Sequence, residues 1–120
     1  MKPNWISVGA FLGGLAVVTG AFGAHGLKER LTPDKLDLWH TAVLYHVLHA
    51  LALVAYGLFD REARANLAGA CFLAGICVFS GTVYALALGA PKWFGAITPI
   101  GGVLLIVGWL AFAWRARRTT

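Results

Sequence analysis

The chain has 120 residues, 59% of them hydrophobic and only 12% charged, with a formal net charge of +5. A chain this short, folded in water, would leave much of its surface exposed and lacks the polar residues to cover it. That balance counts against a soluble monomer, against intrinsic disorder and, since no basic face carries interleaved aromatics, against nucleic-acid binding.

Four apolar runs follow in chain order, each near the ~20 residues that a spanning helix needs. They cover about residues 5–25, 36–59, 67–88 and 94–114. The predicted fold class is therefore an all-α membrane protein, four transmembrane helices in a compact bundle with short loops. One transmembrane domain takes up residues 1–120, and no extramembrane domain fits. The first run, with Met1-Lys2 before it and Ala21-Phe22-Gly23 near its end, has some look of a signal peptide. Its apolar stretch exceeds the usual h-region of about 7–15 residues, so cleavage is not expected. Thr32-Pro33 reads as an N-cap followed by proline at the first helical position. Asp34 then sits where the helix dipole favours a negative charge.

The basic residues read as membrane flanks. With the N-terminus inside, Lys2, Arg61, Arg64, Arg115, Arg117 and Arg118 fall on the inner side, six against the four of Lys28, Arg30, Lys35 and Lys92. The positive-inside rule thus places both termini in the cytoplasm.

Small residues spaced by four let transmembrane backbones approach closely. Gly9 and Gly13, Gly20 and Ala24, and Cys77 and Gly81 follow this spacing. Together with Gly101 and Gly102, these glycines are predicted packing positions. Their expected use is packing within the bundle, with a homo-oligomer interface as the alternative. Cys71 and Cys77 are six apart on one helix, about 9 Å in rise and roughly 240° in rotation. That geometry forbids a disulfide between them.

Ionisable residues inside a span are costly and point to function. Here they are histidines. His46 and His49 are three apart and share a helix face, and His25 closes the first run. The expected state of the pair is neutral imidazole, hydrogen-bonded across the bundle to Ser80, Thr82, Tyr84 or Thr98. A proton or metal path is the second reading, because imidazole titrates near neutrality and binds metals. Bound haem is disfavoured, since His25 and His49 lie at different depths. Neither cofactor nor metal is expected. The candidate polar interior is His25, His46, His49, Ser80, Tyr84 and Thr98.

Thr98-Pro99 leaves two descriptions of the fourth helix open. It starts there, after a segment dipping into the membrane, or it is one continuous helix carrying a proline. No nucleophile elbow, P-loop, His-Glu-x-x-His or Cys-x-x-Cys pattern occurs, and no enzyme activity is expected.

Several blocks resemble one family. Gly20-Ala21-Phe22-Gly23-Ala24-His25-Gly26-Leu27 is similar to the motif closing its first helix, and His49-Ala50-Leu51-Ala52-Leu53 to its second-helix motif. Phe79-Ser80-Gly81, Tyr84-Ala85-Leu86, Thr98-Pro99-Ile100-Gly101-Gly102 and Gly108-Trp109 resemble its second half. The family is that of the YgdD/YwdK-like small membrane proteins, domain of unknown function 423. The resemblance covers nearly the whole chain and implies four transmembrane helices, membrane residence and no established activity; the expected location is a bacterial cytoplasmic (inner) membrane. His25 and His49 fall on its motifs. His46 departs from them, standing where a polar amide is expected, and His40 lies outside them. The expected role is a structural or accessory membrane component whose partners are membrane lipids, a second copy or another membrane protein. The alternative is a small transporter or channel for protons, metal ions or a small solute.

Overall fold

In a computed structural model that describes residues 2–119, the chain forms four helices long and apolar enough to cross a membrane. They are α1 (Trp5–His25), α2 (Pro33–Phe59), α3 (Leu67–Ala87) and α4 (Phe94–Thr119). The bundle measures 48 × 27 × 25 Å. Its helix starts use local chemistry. The Ser7 N–H donates to Asn4 Oδ1 at 3.0 Å, and the Lys35 N–H donates to Thr32 Oγ1 at 3.3 Å, with Pro33 at the first helical position.

Large apolar side chains face both ways. Leu53, Tyr56 and Phe72 are fully buried, yet Phe11, Val17, Ile106 and Leu110 are at least 60% exposed. An apolar outer surface of that extent is unfavourable in water and neutral in hydrocarbon. One buried cluster joins Trp5, Leu53, Tyr56, Phe72, Ile76 and Leu105. A second, at the other end, joins Leu27, Trp39 and Ala87. Trp5 Nε1 donates to Asn66 Oδ1 at 3.2 Å, which ties the chain start to the α2–α3 loop. With Arg115 beside Asp60, the start of α1 and the last turns of α4 therefore lie at the same end of the bundle as that loop.

Glycines set the helix spacing. A Cβ on Gly9 would stand 2.7 Å from the Ala50 carbonyl oxygen, and one on Gly57 2.6 Å from the Ile6 nitrogen. These two contacts bring α1 against α2 backbone to backbone. On the other side, Gly101 of α4 lies against the Phe79 backbone, and a Cβ on Gly75 would meet Leu105 at 2.5 Å. Gly20 and Gly102 face the side chains of Val43 and Phe79 at ordinary contact distance. At Gly13 and Gly81 a Cβ would meet nothing within 4 Å, so neither sets a close approach to another helix of this chain.

Two irregularities matter for the interior. Residues Ile76–Ser80 wind α3 into one π-helical turn, at the level where Gly101 presses on Phe79. Such turns re-aim side chains within an otherwise regular helix. Here the Ser80 hydroxyl donates to the Ala42 carbonyl of α2 at 2.9 Å. The helix α4 is continuous from Phe94 with Pro99 inside it, so it does not begin at Thr98. Pro99 removes one backbone donor, while Thr98 Oγ1 bonds back to the Phe94 carbonyl at 3.3 Å.

Candidate functional site

The polar side chains inside the spans divide into separate groups. His46 and His49 leave α2 on neighbouring positions but reach different helices. His46 Nδ1 lies 2.8 Å from the Tyr84 hydroxyl of α3, and that hydroxyl lies 2.8 Å from Thr19 Oγ1 of α1. Trp39 packs on the Tyr84 ring at a centroid distance of 4.6 Å and donates its Nε1–H to the Thr19 carbonyl at 2.8 Å. One chain of hydrogen bonds thus links α1, α2 and α3. It ends at His46, whose buried ring also faces the Leu12 backbone of α1.

His49 is closed at both nitrogens. Nδ1 is 2.8 Å from the Tyr45 carbonyl, and Nε2 is 2.9 Å from the Trp109 Nε1–H of α4. A carbonyl only accepts and an indole N–H only donates. The ring is therefore neutral, with its proton on Nδ1. It borders a cleft of about 400 Å³ that Tyr45, Phe79, Ile106 and Trp109 also line. Trp109 is 47% exposed, so Trp109→Phe removes mainly the hydrogen bond. Interhelical bonds of this kind average about 0.6 kcal/mol and reach ~1.7. Trp109→Phe is expected to lower stability in mild detergent by about 1 kcal/mol, measured by thermal unfolding.

The other sequence-derived candidates fall elsewhere. Thr98 Oγ1 lies 2.7 Å from Thr82 Oγ1, bridging α4 to α3, and Ser80 bonds only to α2. His25 is exposed at the end of α1 and does not join the interior, because the helix carries it past the last buried position, Gly23. Among the described residues, no three His, Cys, Asp or Glu side chains come together as a metal-binding group.

A further polar cluster was not among the sequence-derived candidates. Asp60 follows α2 directly, and its side chain is only 5% exposed. Its carboxylate accepts from the Arg64 N–H at 3.2 Å and the Ala65 N–H at 3.0 Å. The Tyr56 hydroxyl donates to the Ala65 carbonyl at 2.6 Å and lies 3.3 Å from the same carboxylate. Arg115 of α4 approaches Asp60 at 4.0 Å and also meets the Tyr56 hydroxyl. The loop turns through Ala63, whose φ of 51° is left-handed. Burial pushes the Asp60 carboxyl up. The Ala65 and Arg64 donors, the Arg115 charge and the Tyr56 hydroxyl outweigh that and hold it below the ordinary carboxylate range. The sequence signal for this cluster is the i, i+4 spacing of Tyr56 and Asp60 at a helix end. Arginines and acids at span ends otherwise read as solvated flanks.

These features define a class: a small four-span membrane protein, its interior polar groups linked across the helices and one end rich in arginine. The chain belongs to the family described as "Protein of unknown function (DUF423)", whose model matches residues 19–102. It is 45% identical to a UPF0382 membrane protein of Staphylococcus epidermidis over 108 residues, which cover 88% of each chain. It is 44% identical to the UPF0382 membrane protein YwdK of Bacillus subtilis over 110 residues, 88% of this chain and 89% of that one. No solved structure matches. The protein is thus a member of an uncharacterised membrane-protein family.

Proposed function

We propose that the protein is a non-enzymatic accessory component of the bacterial cytoplasmic membrane, acting through lipid or protein contacts, with both termini in the cytoplasm. One observation carries the reading. The polar groups that could bind or conduct are spent on holding helix to helix, as in His49 with Trp109, Thr82 with Thr98 and Ser80 with Ala42. The outward face is apolar, at Phe11, Val17, Ile106 and Leu110, and suited to contact with lipid or another membrane protein. The orientation rests on the charge balance, since the end bearing both termini holds six Lys and Arg residues and the other end four.

The test is flux in proteoliposomes across protons, divalent cations and small solutes. The expected result is no flux above protein-free liposomes. A flux abolished by His46→Ala or His49→Ala overturns the reading. It would establish instead the second one, a transporter of protons, metal ions or a small solute, which the buried Thr19–Tyr84–His46 chain of hydrogen bonds favours.

A further inference from the structure

The arginine-rich end carries an apolar groove that the interior chemistry does not use. The groove has a volume of about 370 Å³ and runs between the start of α3 and the last turns of α4. Leu67 and Ala68 form one wall; Val107, Leu110 and Trp114 form the other. From Val107 to Trp114 it follows about 10 Å of helix. Arg115 stands at its mouth and also lines a polar basin of about 310 Å³ with Asp60, Arg61 and Arg64. One guanidinium therefore separates an apolar slot from a polar hollow.

We propose that this groove and basin hold one anionic phospholipid, an acyl chain lying along α3 and α4 and the phosphate against Arg115. The inference deepens the lipid-contact part of the proposed function and rests on it. Charge complementarity selects the headgroup. This end holds Lys2, Arg61, Arg64, Arg115, Arg117 and Arg118 against Asp60 and Glu62, an excess of four positive charges. Glu62 is spent on Arg64 at 2.7 Å, and Asp60 reaches Arg115 only at 4.0 Å while accepting two backbone N–H groups. Arg115, beside the Tyr56 hydroxyl, thus keeps 29% of its side chain exposed and meets Asp60 only at the edge of ion-pair distance. The exposed part of such a guanidinium is matched by a phosphodiester, which accepts in its forked geometry. The slot selects the tail. Its walls are apolar and belong to helices that cross the hydrocarbon, where acyl chains are the solvent. Trp114 at the mouth, with Arg118 5.8 Å from its ring, suits the interface between the two regions.

The test uses the purified full-length protein in a mild non-ionic detergent, titrated with phosphatidylglycerol or phosphatidylcholine of identical chains and read by native mass spectrometry. One phosphatidylglycerol per protein is expected, held about tenfold more tightly than phosphatidylcholine, as charge-assisted bonds imply. Arg115→Gln should remove that preference. Leu110→Trp should weaken both lipids by filling the slot; Leu110 is 65% exposed, so the fold tolerates it. Lys92→Gln, at the far end, should change neither. Thermal unfolding checks that each variant is folded, and the Leu110→Trp result decides the case if Arg115→Gln is not. Equal retention of the two lipids overturns the proposal, as does a preference that survives both variants. Displacement by glycerol phosphate alone would assign a free-anion site and overturn the acyl-chain groove. A negative result here, with no flux in proteoliposomes, leaves the accessory reading standing on protein contacts; flux removes that reading whatever lipid is retained.

Discussion

Asp60→Ala is expected to destabilise the protein by about 2–3 kcal/mol, the cost of leaving buried donors and an arginine without their acceptor. The Arg64 and Ala65 N–H groups and the Tyr56 hydroxyl all converge on this carboxylate, and Arg115 approaches it from α4. The loss should appear as a lower unfolding midpoint in detergent. Tyr56→Phe should cost less, since the two backbone donors keep their acceptor. The carboxylate also gives stability a pH dependence. Its folded pKa lies below the ordinary value of 3.8. The unfolded state then binds the proton more readily, so the contribution is complete above the unfolded pKa and is lost as pH falls through the folded one. Wild type should lose stability on acidification below about pH 4, and Asp60→Asn should flatten that part of the profile. An unchanged acid limb in Asp60→Asn would remove Asp60 as its source.

Two glycine-to-alanine substitutions should have opposite signs. At Gly101 a new Cβ meets the Phe79 backbone, which has no flexible end to move aside. Overpacking of this kind costs about 1–3 kcal/mol, and Gly101→Ala should sit at the upper end or fail to accumulate. At Gly13 the Cβ meets open space. Alanine is the better helix former by roughly 0.5–1 kcal/mol, so Gly13→Ala should be neutral or stabilising. Unfolding midpoints of the pair in one detergent decide the matter. Equal losses at both sites would mean that Gly13 meets a surface outside this chain, such as a second copy.

Hydropathy is additive along the chain, so the four spans were legible as runs of apolar residues bounded by charges. The start of α2 was legible too, because Thr32-Pro33-Asp34 is local cap chemistry. The glycine spacing was a weaker guide. A four-residue repeat marks a stripe on a helix, but Gly9 and Gly13 belong to the same stripe and only Gly9 meets a neighbour. At Thr98-Pro99 a local reading allowed two outcomes, and α4 is continuous because the helix had already begun at Phe94.

Composition and periodicity by themselves determined that this protein is a four-helix membrane bundle, since each span satisfies its own backbone and needs nothing distant to form. Only the tertiary structure decided which polar groups meet. His46 turns to Tyr84 and His49 to Trp109, and Arg115 comes to Asp60 across 55 positions of sequence. Those pairings depend on the rotation and depth of each helix. Both are set by close backbone approaches at Gly9, Gly57 and Gly101 and by the π-turn in α3. A shift of one residue turns a helix by about 100° and moves every side chain to another neighbour.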